Sequence, residues 1–252
     1  MDAIADESLI VRGSLGARVW QYCRRNPTIV IGALLLLMML IIALLASHLT
    51  PDPMKLNPIK RLRVPGEGML FGTDMYGRDV FARTLHGSRI SLLVGLSAAA
   101  VSTLFGLTIG LMAGYNRLFD TIVMRFMDGI MAIPSILLAI ALVSLTGASV
   151  GIVIVAISIP EIPRVVRLVR SVVLTIREQP YIEAAISVGA RLPKILLRHI
   201  LPNTLAPLIV QATYVCASAM ITEAILSFLG AGTPPDIPSW GNVISEGRQY
   251  FQ

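Results

Sequence analysis

The sequence predicts an all-α integral membrane protein with five transmembrane helices, and three observations carry that prediction. The 252 residues are 55% hydrophobic and only 14% charged, whereas a soluble domain carries about 25% charged residues to cover its surface. Several apolar runs approach the ~20 residues that cross a bilayer as a helix, and the alternation of a membrane β-barrel is missing. The basic residues behind the net charge of +6 cluster at the ends of apolar runs. That is the pattern of cytoplasmic membrane loops, not of a nucleic-acid surface.

The first span runs from about Thr28 to Ser47 and stops at Pro51 and Pro53, since proline cannot continue the backbone ladder. Its apolar run is longer than the roughly 7–15 residues of a cleaved signal core. Arg18, Arg24 and Arg25 before it place the N-terminus in the cytoplasm. A long polar stretch follows, ending in a short helix that Thr73 or Asp74 can cap. There Asp74 with Arg78, and Asp79 with Arg83, stand at i,i+4 on a solvated face.

The second span covers about Ser91 to Gly114 and carries Gly106, Gly110 and Gly114 on one face. Small residues at that spacing let a second helix approach closely. The third, about Phe126 to Leu145, kinks at Pro134. The fourth, about Val150 to Val172, holds Glu161 between two prolines and ends in Arg164, Arg167 and Arg170. The fifth, about Thr204 to Leu229, contains Glu223. By parity the loops after spans two and four are cytoplasmic, and both are basic. The loop after span one is external, and its Lys55, Lys60, Arg61, Arg63, Arg78 and Arg83 are partly offset by Asp52, Glu67, Asp74 and Asp79.

Between spans four and five the chain breaks into a charged stretch, "EAAISVGARLPKILLRHILPN". Pro180 suits the first turn of a helix, Gly189 permits a sharp exit through positive φ, and Pro193 starts a second short helix that Pro202 stops. Arg191, Lys194 and Arg198 fall at i, i+3, i+7 on one basic face, with Leu192, Ile195, Leu196 and Ile200 left to pack elsewhere. This helix–turn–helix is a topology anchor or a docking element. A DNA-reading role fits poorly, because a module held between two spans cannot enter a groove.

Glu183-Ala184-Ala185, Gly189 and Leu201-Pro202 resemble the EAA loop of permease subunits of bacterial ATP-binding cassette importers. His199 stands where the family pattern has isoleucine. "FGTDMYGRDVFARTLHGSRISLLVG" and "AILSFLGAGTPPDIPSWGNVISEGR" are similar to the second, C-type permease subunit of the dipeptide, oligopeptide and nickel group. The resemblance implies that the EAA loop is a coupling helix seated in an ATPase cleft, through Glu183, Ala184, Ala185, Gly189, Arg191, Ile200 and Pro202. It also implies partners: a homologous second permease subunit, two ATPase subunits that bind ATP and magnesium, and an external substrate-binding protein. Members usually carry a sixth span after the SWGN segment, which is missing from this sequence. The expected organisation is a cytoplasmic segment 1–27, first span 28–47, external loop 48–90, permease core 91–230 with the coupling loop 178–203, and external segment 231–252.

No G-x-x-x-x-G-K-[ST] is present, so the chain has no Walker loop of its own. HExxH, GxSxG and Cys/His ligand clusters are likewise missing. No catalytic residue, metal ligand or bound cofactor is therefore expected, and Cys23 and Cys216 read as inert thiols. An ion-coupled secondary transporter is the alternative, with Asp128, Glu161 or Glu223 relaying protons as intramembrane acids do. Each acid also has a structural reading: Asp128 paired with Arg125, Glu161 with Arg164 or Arg167, and Glu223 bonded to a neighbouring helix.

Overall fold

The computed structural model describes residues 21, 23–66 and 68–248. Residues 1–20 of the expected cytoplasmic segment, with Arg18, lie outside the described residues, as do Glu67 of the external loop and residues 249–252. Two compact units divide the chain, Met1–Leu45 and Ala46–Gln252. Among the described residues every named element is helical, and the β contacts are two isolated bridges, Gly66–Met69 and Thr73–Asp79.

α1 (Pro27–Leu49) has no Asp, Glu, Lys or Arg. Its Leu34, Leu36, Leu40 and Leu44 are exposed on successive turns and different faces, as in a helix solvated by lipid on most sides. α2 (Val80–Tyr115) is a single helix of 36 residues. The sequence reading had split it into a short surface helix and a span from Ser91, but no proline lies between them, and the helix runs on through His86, Ser88 and Arg89. Asp79 does not pair with Arg83; its carboxylate caps α2, accepting from the amides of Phe81 at 2.9 Å and Ala82 at 3.4 Å. At 1.5 Å per residue α2 is about 54 Å long, well beyond a hydrocarbon core of about 30 Å.

α3 (Arg117–Met131) and α4 (Ser135–Thr146) replace the expected third span. They meet at 85° across a three-residue break, far more than a kink. Pro134 sits at φ −55°, ψ 127°, so the chain leaves the helix there altogether, and proline turns the residue before it away from helical geometry. α5 (Val150–Arg177) starts on Ser149, whose hydroxyl accepts from Ile152 N. It is long enough to span, but Glu161, Arg164, Arg167 and Arg170 make it too charged to count by composition. Among the described residues three helices are long and apolar enough to cross a membrane, or four if the bent α3–α4 pair is one span; the sequence reading had five.

α6 (Pro180–Ser187) and α7 (Leu192–Ile195) form the charged hairpin, and a π-helical turn, Leu196–Ile200, leads into α8 (Leu201–Phe228). Pro202 therefore does not stop the second short helix. A proline clashes with the carbonyl four residues before it, and the wide turn, in which Leu201 N reaches Leu196 O, lets the helix continue past the clash. The expected fifth span from Thr204 is thus the continuation of a run from Leu192 to Phe228. α9 (Trp240–Arg248) closes the described chain.

The core lies where α2, α5 and α8 meet. Val94, Ala98, Val153, Ile157 and Ala219, with Ala139 and Val143 of α4, pack one end. Val165, Val169, Val173 and Leu208 pack the other, together with Ile182, Ile195 and Ile200 of the hairpin.

Candidate functional site

The hairpin between α5 and α8 is fastened to that core by three isoleucines. Ile182, Ile195 and Ile200 are all 1% exposed or less and share a cluster with Val169, Val173 and Ile176. α6 ends in a glycine cap. Gly189 has φ +81°; its amide donates to Ile186 O at 2.9 Å, and the Ala190 amide to Ala185 O at 3.0 Å. This paired bonding closes the orphan carbonyls of the helix end and requires a left-handed residue at that position. The piece is short yet stiff.

The outer side of the hairpin is open. Glu183 and Ala184 are exposed, and Ala185 is half-buried. Arg191, Lys194 and Arg198 are exposed. Pro202 is exposed in the first turn of α8, whereas Ile200 is fully buried and holds the hairpin to the core instead of offering a contact. Three apolar residues that the motif does not single out join the open surface: Ile186 at 47%, Val188 at 89% and Leu192 at 40% exposed. Their positions were readable only as apolar residues in a polar turn.

The three glycines of α2 face one row of valines on α5. A Cβ on Gly106 would lie 2.4 Å from Val165 Cβ, one on Gly110 2.7 Å from Val169 Cβ, and one on Gly114 2.6 Å from Val173 Cβ. Each four-residue row fits into the other, and nothing larger than hydrogen leaves room for it. Ser102, one step earlier on the same row, is buried against Ser158 of α5, donating to its carbonyl. The seam ends at Arg177, whose Nη1 donates to Tyr115 O at 3.2 Å, where α5 hands over to the hairpin.

The three candidate acids occupy separate places. Asp128 is exposed and pairs with Arg167 of α5 at 2.6 Å, not with Arg125. Glu161 is buried and pairs with Arg164 at 2.9 Å. Glu223 is fully buried; its Oε1 accepts from Ser227 at 2.8 Å and lies 3.1 Å from the Thr233 hydroxyl. Its partners are thus its own helix and the segment that follows, not a neighbouring helix. The Oε2 atoms of Glu161 and Glu223 are buried without a partner among the described residues. Among those residues no three His, Cys, Asp or Glu side chains could together hold a metal ion.

At the opposite end of α2 sits an ion cluster that the local spacing of charges does not reveal. Asp74, Arg78 and Arg83 are buried, so the expected solvated face is wrong for them. Asp74 Oδ2 takes Arg78 Nε at 2.6 Å and Arg83 Nη1 at 3.0 Å. Glu246 of α9 takes both arginines, Arg78 Nη2 at 2.9 Å and the Arg83 guanidinium through two contacts. Trp240 Nε1 donates to Thr84 O at 3.0 Å beside it. A cavity of about 450 Å³ adjoins the cluster, lined by Tyr76, Arg78, Thr233, Asp236, Asn242 and Glu246 among others. Its members come from both ends of the sequence, and only the fold unites them.

The chain is similar to known transport proteins. Residues 106–251 match the family "Binding-protein-dependent transport system inner membrane component", and residues 14–65 match the "N-terminal TM domain of oligopeptide transport permease C". A protein of Sinorhizobium fredii named "Probable peptide ABC transporter permease protein" is 56% identical over 92% of this chain and 80% of its own length. The dipeptide transport system permease protein DppC of Alkalihalophilus pseudofirmus is 42% identical over 91% and 76%. The glutathione transport system permease protein GsiD of Pectobacterium atrosepticum is 40% identical over 91% and 77%.

Proposed function

The chain belongs to the family of binding-protein-dependent transport system inner membrane components, and from that premise we propose that it couples to ATPase subunits through the hairpin Pro180–Ile200. It is a membrane-spanning, C-type permease subunit of a peptide importer. In this reading it forms half of the translocation pathway beside a homologous second permease subunit. Two separate ATPase subunits bind ATP and magnesium, and an external binding protein delivers the peptide. Peptide relatives and a glutathione relative support short peptides, or a peptide-like solute, as the cargo. In this reading the N-terminus and the hairpin are cytoplasmic, which the basic loops around Arg117 and Arg191 support.

One observation carries the coupling role. The hairpin is rigidly seated by Ile182, Ile195 and Ile200, yet its tip presents Val188 at 89% exposure beside Ile186 and Leu192. An apolar tip rimmed by Glu183, Arg191 and Lys194, on a polar loop, is the composition of a protein contact. When the ATPases close around ATP, a tip seated in them moves, and the buried isoleucines pass that motion to α5 and α8. The spans then alternate between outward and inward access.

Gly189→Val is the test. Valine opposes φ +81°, at about 1–3 kcal/mol of local strain, and leaves the basic face intact. The variant is expected to insert in the membrane normally while co-purifying less ATPase and uncoupling hydrolysis from uptake. Glu183→Ala is expected to act in the same direction, more mildly. Wild-type ATPase recovery and uptake in both variants would leave the hairpin as a topology anchor. The ion-coupled reading draws on the unpartnered Oε2 atoms of Glu161 and Glu223; it predicts uptake in vesicles without ATP, driven by an imposed proton gradient and lost in Glu223→Gln.

A further inference from the structure

α3 differs from every other long helix here in how its circumference is divided. One side faces α5 and is strapped to it twice, by Asp120 to Arg170, with both carboxylate oxygens engaged, and by Asp128 to Arg167 at 2.6 Å. Met127 is buried on that inward side. The remaining surface is exposed and splits in two. Arg117 and Thr121 fall on one strip, while Leu118, Ile122 and Phe126 form an i, i+4, i+8 ridge on the other, 80%, 72% and 67% exposed. Arg125 stands at the border between them, exposed, its guanidinium without a partner among the described residues. Water on one strip and hydrocarbon on the other satisfy both, and this is the composition of a helix lying in a membrane interface.

Two further features agree. α3 turns 85° from α4, which carries no charged residue, so an α4 that enters the bilayer along its normal sets α3 close to the membrane plane. Beside the ridge runs a groove of about 480 Å³ lined by Ile122, Phe126, Gly129, Ile130, Ile133 and Arg125. Nothing lies within 4 Å of where a Gly129 Cβ would be, so the groove floor is open. It is a shallow, open trough along α3 with apolar sides, and Arg125 at its rim has no partner among the described residues. Arg177 joins Tyr115 O just before α3 at the end of α5 that leads into the hairpin, so groove and hairpin share one end of the bundle.

We propose that α3 is an interfacial helix on the hairpin side of the membrane, and that its groove holds an acyl chain of an anionic phospholipid whose phosphate is bound by Arg125. The inference rests on the chain being a membrane permease, but not on which side the hairpin faces. Arginine suits a phosphate by its fixed fork of donors, and anionic lipid draws basic groups to the surface. Seated this way, α3 ties the level of the membrane surface to α5 through the two ion pairs, at the end where the hairpin begins.

The test uses the complex purified through this chain and reconstituted in nanodiscs of phosphatidylethanolamine and phosphatidylglycerol. Spin labels are placed one at a time at Thr121, Ile122 and Phe126, each converted to cysteine in a background lacking Cys23 and Cys216. All three positions are exposed, so folding tolerates them. Labels at 122 and 126 are expected to be relaxed by oxygen and shielded from a water-soluble nickel chelate, with the reverse at 121. Shielding from both reagents at 122 and 126 would mean that another protein subunit covers the ridge, and access by the chelate would mean a water-lined path; either result overturns the proposal. Native mass spectrometry reads the headgroup site. Arg125→Gln is expected to lose one bound phosphatidylglycerol per copy, while Arg61→Gln on the opposite loop keeps it. Equal phosphatidylglycerol counts in both variants would remove Arg125 as the phosphate ligand. Neither measurement involves ATPase recovery, so the coupling role stands or falls separately.

Discussion

Glu246 is the residue on which the ion cluster of Asp74, Arg78 and Arg83 turns. Two buried guanidiniums, Arg78 and Arg83, share two carboxylates, Asp74 and Glu246. Without Glu246 a single carboxylate must serve both arginines in a place where water does not reach Arg83, which is 1% exposed. Breaking a buried pair in this way costs about 3–5 kcal/mol. Asp79 offers an internal comparison, because it acts only as a helix cap and its loss costs about 1 kcal/mol. Glu246→Gln is therefore expected to lower the thermal unfolding midpoint of the purified complex severalfold more than Asp79→Ala does. Shifts of equal size would show that the cluster adds no more than a cap. The sequence spacing offered Asp79 as the partner of Arg83, and its partners are Asp74, 9 residues before it, and Glu246, 163 residues after it. Local charge spacing measures opportunity on a helix face, and Asp79 precedes its helix.

Among elements, the α2–α5 seam is the most demanding. The Cβ of an alanine at Gly110 would sit 2.7 Å from Val169 Cβ and 3.0 Å from Val166 O, atoms that cannot rotate away. Overpacking of this kind costs about 1–3 kcal/mol, so Gly110→Ala is expected to reduce recovery of assembled complex. Adding Val169→Gly moves the gap across the seam and should restore part of that loss; a double variant as poor as or worse than the single one would show that the two rows do not meet in the membrane. The glycine row itself was legible, because its four-residue period is written locally. The valines opposite were not, since every fourth residue of an apolar helix is unremarkable until its neighbour is known. The hairpin was legible for a similar reason: Pro180, Gly189 and Pro193 mark a start, a stop and a start. Prolines misled where packing decides the outcome. Pro134 was readable as a kink and proves to be an 85° corner, while Pro202 was readable as a stop and is bypassed by one wide turn. Asp128 illustrates the same limit, because its nearest sequence cation, Arg125, points to the border strip and Arg167 comes from another helix.

For the whole molecule, surface labelling reads which end faces which compartment. The loop charges predict Ser187 in the cytoplasm and Ala148–Ser149 outside. Ser239, an obvious reporter for the last segment, is fully buried, so Asp236, exposed three residues earlier, takes its place. In a background lacking both native cysteines, an impermeant thiol reagent on intact cells is expected to label cysteines at 149 and 236 and to spare one at 187. Labelling at 187 would invert the assignment and put the hairpin beyond reach of ATP-binding partners. Once the ends are assigned, the α2–α5 seam acquires a mechanical meaning. Helices locked valine-to-glycine over three successive steps cannot slide past each other by less than a full notch, so they tilt together as a single stiff beam. That beam reaches from the ion cluster at Arg83 to the hairpin junction at Arg177. For a beam of about 54 Å, a tilt of about 5° at the hairpin end swings the far end by about 5 Å, roughly the width of a peptide backbone. A small nudge at the tip near Val188 would thus arrive at the other end already scaled to the cargo.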